Sequence, residues 1–312
     1  MPSISLVVCL NKERDLLERL LEQTAGCYDD LVVVHDGPEF ESERKNIRGT
    51  SLATDFSEIK HDDSRLIQYQ HSLLPPIIES IHELTVRNRG RYFEHPRVGS
   101  LEGQSPFAWS QAKHNWILRL DADEFPSEDL KIWLQKFRQL PEPDPIVSGY
   151  TCIWPLWNGK RATTRHWPTG RMFLFNRTQV RFFGMVEQTP IPDGAMESVD
   201  LILRHQPRRK SSGIRNVLFR RQAYRWRRVI TDSLRGKPTE LPCWRWNDPN
   251  WPKHWEVIRK HPLRTGLFRL IWFPLCDARA HWKYERKIFF TSVLNSGLHH
   301  FLFCMNYWWQ SK

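Results

Sequence analysis

Trp116-Ile-Leu-Arg-Leu-Asp121-Ala-Asp123-Glu124-Phe125 is the stretch on which the fold turns. An apolar run from Trp116 to Leu120 ends abruptly in three carboxylates, Asp121, Asp123 and Glu124. The run is short and lacks helical spacing, so it reads as a buried strand. Asp121 and Asp123 stand two residues apart, and along a continuing strand their side chains share a face. A strand that finishes in paired acids puts hard oxygen ligands at the carboxyl edge of a sheet, where open α/β sheets bind ligands. Carboxylates this close repel unless a cation or protons sit between them. A divalent ion such as Mg2+ or Mn2+, shared with the phosphates of a nucleotide, answers that repulsion. The same acids also suit the start of the helix that Ser127-Glu128-Asp129 opens, and the motif alone leaves both readings open.

Outward from this strand, the amino-terminal part repeats the pattern. Ile4 to Leu10 is a β-rich apolar run ending at Asn11-Lys12-Glu13. Leu16, Leu17, Leu20 and Leu21 follow at helical spacing, and Leu31-Val32-Val33-Val34 is a second buried strand that stops at His35-Asp36-Gly37. Strand, helix, strand is a βαβ unit, which implies parallel strands and a right-handed crossover. No G-x-G-x-x-G follows the first strand, which argues against a dinucleotide-binding domain. Asp36 reads either as an acceptor for a ribose or base edge or as the turn residue before Gly37.

Residues 38–105 form a long segment with weak patterning, charged at 39–48 and 60–65. Ile78, Ile81 and Leu84 suit a short helix, 87–103 reads as loop, and 105–115 reads as the helix leading into the acidic strand. After the acids, Leu130, Trp133, Leu134 and Phe137 give an amphipathic helix. Residues 146–154, 171–176, 180–186 and 199–203 are strand-like. The basic stretch 208–228 carries interleaved Tyr and Trp, 238–252 is an irregular Pro- and Trp-rich connection, and 263–273 alternates basic and bulky apolar residues. Residues 288–311 hold no Asp, Glu, Lys or Arg, yet their Ser, Thr, Asn, Gln and His content favours a buried or interfacial helix over a spanning one.

The net charge of +11 calls for anionic partners, for which nucleotides, phosphorylated glycans, an acidic membrane surface and nucleic acid all qualify. Six scattered cysteines without a C-x-x-C pair point to neither a zinc site nor a disulfide framework, and fit a reducing compartment. The first residues show no signal-peptide pattern.

The ordered set resembles the family-two inverting glycosyltransferases of GT-A fold. It comprises Asn11-Lys12-Glu13, Asp36-Gly37 (with His35 where Asp is commoner), Asp121-x-Asp123, Arg171-Met-Phe-Leu-Phe, Gly184-Met-Val-Glu187 and Arg204-His205. Within that family the chain is most similar to the lipopolysaccharide core branch, although Val186 stands where that branch carries His before the acid. The resemblance implies an α/β, mixed, mostly parallel sheet flanked by helices. It implies a nucleotide-sugar-binding and catalytic part at 1–215 and a basic, Trp-rich helical extension at 216–312. Asn11, Glu13, Asp36, Asp121 and Arg171 fall on the nucleotide-sugar side, with Asp36 toward uracil or ribose. Asp123 and His205 become ligands of a divalent cation, Mn2+ or Mg2+, and Glu187 the general base that deprotonates an acceptor hydroxyl. The implied partners are a UDP-sugar and a glycan or lipid-linked acceptor, with peripheral contact to an anionic membrane on the cytoplasmic face. A His at the end of a strand or an acid in a turn also has ordinary structural uses. Two competing readings are a nucleic-acid-binding protein using its basic, Trp-interleaved surface, and a GT-A scaffold that has lost activity; the first leaves Asp121 and Asp123 without a role.

Overall fold

The computed structural model describes residues 1–36, 57, 76–95, 100–157, 162–165, 170–186, 188–207, 218, 221–286 and 290–312. Strand β1 (Ile4–Leu10) is followed by α1 (Arg14–Gln23), β2 (Asp30–Asp36), α2 (Pro76–Arg87), β3 (Arg91–His95), α3 (Leu101–Ser110) and β4 (Trp116–Arg119). Next come β5 (Glu124–Pro126), α4 (Glu128–Phe137), β6 (Val147–Ile153), the pair β7 (Pro155–Trp157) and β8 (Ala162–Arg165), and β9 (Arg171–Asn176). β10 (Val180–Phe183), β11 (Ile191–Pro192) and β12 (Ala195–His205) lead to α5 (Arg221–Arg235), β13 (Cys243–Trp244), α6 (Lys253–Lys260), α7 (Pro262–Glu285) and α8 (Phe290–Gln310).

Eight strands make one sheet in the order β3-β2-β1-β4-β9-β6-β12-β5. β3, β2, β1 and β4 are parallel, β9 runs against β4 and β6, β12 is parallel to β6, and β5 is antiparallel to β12. Six strands therefore share one direction, and the chain is an α/β protein with a mixed, mostly parallel sheet flanked by helices.

The continuous apolar runs are explained by burial on both faces. Ile4, Leu6, Val8 and Leu10 of β1 meet Leu17, Leu20 and Leu21 of α1 and Leu130, Leu134 and Phe137 of α4 on one side. Val7 and Cys9 meet Phe107, Ala108 and Trp109 of α3 on the other. A third core, with Phe183, Val186, Ile230, Trp246, Trp251, Trp255 and Phe303, joins the loop after β10 to the carboxyl-terminal helices.

Two sequence expectations change here. Residues 87–103 are not loop throughout, because β3 adds an edge strand beside β2. Half-exposed edge strands tolerate charge, and Arg91, Glu94 and His95 masked its pattern. The following helix starts at Leu101, capped by Ser100, which accepts from Gly103 N, and it ends at Ser110 instead of near 115. Its residues 103–110 are all buried, so it lacks the one-sided spacing that marks a surface helix. The charged clusters at 39–48 and 60–65 lie outside the described residues.

Asp30 knits the start of the sheet. Its carboxylate accepts from Ser5 Oγ at 2.8 Å, Arg91 Nη2 at 2.9 Å and Lys113 N at 3.0 Å. Burial would raise its pKa, but the Lys113 amide, Arg91 and Ser5 together hold it below the usual value of 3.8. A carboxyl with a depressed folded-state pKa stabilises above its unfolded value and loses that contribution as pH falls through the folded one. Asp30→Asn is expected to cost about 1–3 kcal/mol at neutral pH. The gap from wild type should narrow below pH 3.8, as read from denaturation midpoints at pH 7 and pH 3.

The α7–α8 hairpin is closed by small residues. A Cβ on Gly297 would stand 2.6 Å from Pro274 Cγ and 2.7 Å from Leu270 O. Helix propensity favours Ala over Gly by about 1 kcal/mol, but crowding of this kind costs about 1–3 kcal/mol. Gly297→Ala should therefore lower the unfolding midpoint, where propensity alone would raise it.

Candidate active site

The carboxyl ends of six co-directional strands and the amino end of antiparallel β9 open on one edge of the sheet. β1 is flanked there by β2 on one side and β4 on the other, and a parallel sheet that winds away from one strand in both directions leaves its ligand crevice at that point. The edge gathers Asn11 and Glu13 after β1, Asp36 at the end of β2, Asp121 and Asp123 after β4, Arg171 at the start of β9 and His205 at the end of β12.

The acids after β4 do not continue a strand. β4 stops at Arg119, and residues 121–124 form a turn closed by Glu124 N donating to Asp121 O at 2.9 Å. Asp121 N in return donates to Glu124 Oε2 at 2.9 Å. Asp121 and Asp123 are therefore not strand neighbours on one face, as their spacing predicts; the turn sends each to a different partner. The reason is β5, which reverses direction to pair with β12 and places Glu124 opposite His205.

Arg171 gathers the first half of the site. Its Nη2 lies 3.0 Å from Asp121 Oδ2, and its Nε lies 3.1 Å from Glu124 Oε1. Glu124 is fully enclosed, whereas 41 % of the Asp121 side chain meets solvent. Burial raises the Glu124 carboxyl above its ordinary value despite Arg171. Burial acts the same way on Asp121, but Arg171, Arg119 and His205 outweigh it and hold that carboxyl low. Arg119, on β4, is itself buried, and its Nη1 has no hydrogen-bond partner among the described residues.

His205 and Asp123 make the second half, with Nε2 and Oδ2 3.5 Å apart and both side chains partly open. Burial would lower the imidazole, but the hydrogen bond to Asp123 and the charges of Asp123, Glu124 and Asp121 raise it. Trp154, just past β6, stacks on His205 with ring centroids 4.6 Å apart and sits 5.7 Å from the Arg171 guanidinium. Trp154 and Glu124 are site residues that sequence reasoning left without a role. Their signal was present, since each closes or follows a strand-like run at the same edge.

The β1–β2 end is separately braced. Glu13 Oε2 accepts from Asn11 N at 3.0 Å and Lys12 N at 2.8 Å, and the Asn11 carbonyl meets the His35 ring at 2.8 Å. Gln104 Nε2 donates to Asp36 Oδ1 at 2.7 Å. Its neighbour Gly103 abuts Gly184, where a Cβ would stand 2.9 Å from both Gly103 Cα and Pro242 O. The run Gly184-Met185-Val186 thus passes over the first turn of α3. Glu187, the sequence candidate for the base, lies outside the described residues.

Asp123 and His205 fit half of a divalent-cation site. A carboxylate oxygen suits both Mn2+ and Mg2+, an imidazole nitrogen beside it suits the softer Mn2+ better, and such ions keep other positions for phosphate oxygens and water. Among the described residues no group of three or more His, Cys, Asp or Glu side chains converges to hold an ion without such help.

No protein-family model matches the chain, and no curated protein matches it significantly. Among solved structures it is similar to the mannosyltransferase PcManGT from Pyrobaculum calidifontis in complex with GDP-Man and Mn2+, with a TM-score of 0.45 and 13 % identity, over 100 % of this chain and 88 % of that one.

Among the described residues, Arg171 is the cation paired with Glu124. Removing one member of a buried ion pair costs about 3–5 kcal/mol because the other charge stays buried. Arg171→Met should therefore lower stability by about that much, and the double change Arg171→Met, Glu124→Gln should recover part of it, as read by chemical denaturation.

Proposed function

We propose that this protein is a divalent-cation-dependent, inverting glycosyltransferase. It moves a sugar from a nucleotide-sugar, a UDP-sugar in the first instance, to a hydroxyl of a glycan or lipid-linked glycan of the lipopolysaccharide or cell-surface type. The observation that carries this reading is the convergence of Asp121, Asp123, Arg171 and His205, from separate elements, on the carboxyl edge beside the β1–β4 switch point. Burial first, and the charge of Arg171 second, hold the Arg119 guanidinium below its ordinary value.

Asp123 and His205 would hold the cation, which when bound offsets negative charge on a departing diphosphate. Asp36, preset by Gln104, is an acceptor for ribose or uracil hydrogen-bond donors. Glu13 closes the turn after β1 and so shapes the rim that faces the nucleotide. Trp154 stacks on His205 and lies beside the Arg171 guanidinium, so it holds these two site groups in place. Glu187, assigned from Gly184-Met-Val-Glu187, takes the proton of the acceptor hydroxyl. The acceptor oxygen then bonds to the anomeric carbon as the bond to the diphosphate oxygen breaks, the nucleoside diphosphate leaves, and the configuration inverts.

A thermal-shift panel of UDP-, GDP-, CMP- and dTDP-sugars with and without Mn2+ tests this reading. One donor should raise the unfolding temperature only with Mn2+, because a ligand that binds the folded state stabilises it by mass action. Asp123→Ala should abolish the Mn2+-dependent shift. Glu187→Gln should keep that shift and lower turnover by about 10²–10⁴-fold. Survival of both turnover and Mn2+-dependent binding in Asp123→Ala would end the proposal. Tight, salt-sensitive binding of single-stranded oligonucleotides with no response to any nucleotide-sugar would favour a nucleic-acid role instead.

A further inference from the structure

Helix α7 presents its apolar side to solvent. Leu263, Leu267, Phe268, Ile271, Trp272 and Leu275 are 37 to 65 % exposed, and Trp282 follows at 56 %. At 100° per residue these positions fall within one half of the helix circumference. The opposite half packs on α8, where Gly266 meets Phe301 and Cys304, and Gly297 meets Leu270 and Pro274. The face from Leu263 to Trp282 is about 28 Å long at the α-helical rise. A contiguous apolar strip of that length on a globular surface marks an interaction site.

Charge decides what it meets. Arg264 and Arg279 stand exposed within the strip, and Lys260 and Arg286 stand exposed beyond its two ends. Over 259–286 the chain carries seven Lys and Arg against two Asp and Glu. A second copy docked through the same face would set these cations against their own images, since an isologous interface repeats one patch. Anionic headgroups complement them, while Phe268 and Trp272, stacked 5.7 Å apart, supply the rings that lodge at a bilayer interface. Among the described residues no helix is long and apolar enough to cross a membrane, so such a helix lies in the surface plane.

We propose that the outer face of α7 docks this protein on an anionic lipid surface. The proposal stands independently of the glycosyl-transfer reading, and its test involves no nucleotide-sugar. Wild-type protein should float with mixed phosphatidylcholine–phosphatidylglycerol vesicles, float less with phosphatidylcholine alone, and dissociate from the mixed vesicles at high salt. The variant Leu267→Ser, Ile271→Ser, Leu275→Ser should lose at least tenfold in partitioning with an unchanged unfolding midpoint, because these side chains are exposed. Arg264→Glu, Arg279→Glu should lose only the preference for the anionic vesicles. Trp272→Phe keeps the apolar face and serves as a control for folding; it should float like wild type. The proposal is overturned if wild type ignores both vesicles, or if the serine variant floats as well as wild type. It is equally overturned if light scattering shows a dimer that the serine changes split and that binds no vesicle.

Discussion

Everything at the active edge depends on one buried charge, the carboxylate of Glu124. It has no access to water, and its compensation comes from Arg171 on β9, which like β5 runs against the six co-directional strands. A carboxylate in that position would protonate or unfold its surroundings without a cation beside it. The guanidinium that neutralises it also reaches Asp121, so one side chain sets two acids at once. The cost of enclosing Glu124 is thereby coupled to the placement of a group that faces solvent.

The sheet supplies the geometry for this arrangement. Because β9 and β5 run against their neighbours, a residue at the start of β9 and one at the start of β5 arrive at the same edge as residues at the ends of β4 and β12. Polar side chains separated by long stretches of sequence thus meet without any loop reaching across. Burial of both faces fills the strand interiors mainly with apolar side chains, and most charged groups gather at the rim. Helix α3 completes the frame, holding Asp36 through Gln104 and passing beneath Gly184.

The carboxyl-terminal helices follow a different logic. α8 has no charged side chain, and its His299 and His300 lie among rings, 4.0 Å from Trp226 and 4.4 Å from Phe273. Burial, seconded by Arg227 and Arg269 respectively, pushes these imidazoles down to about 4 and about 3, so they remain neutral inside the bundle. α7 then covers one side of α8 and leaves its own apolar half outside. The surface therefore combines a polar rim carrying Asp121, Asp123, Arg171 and His205 with a hydrophobic, basic helix.

Much of this was legible in the chain. Apolar runs of strand length, the helical leucines of α1 and the Ser127 cap specified elements correctly, because periodicity and capping are local properties. Acids at the ends of such runs marked the functional rim, because buried strands expel charge to their ends. Three features needed the tertiary structure. The turn at 121–124 separates Asp121 from Asp123 because β5 must reverse to pair with β12. The partnership of Arg171 with Asp121 spans 50 residues and follows from strand order, which no local pattern encodes. The alternation of basic and bulky apolar residues in 263–273 does not say which half of α7 is covered, and the packing of α8 against Gly266 and Pro274 decides it.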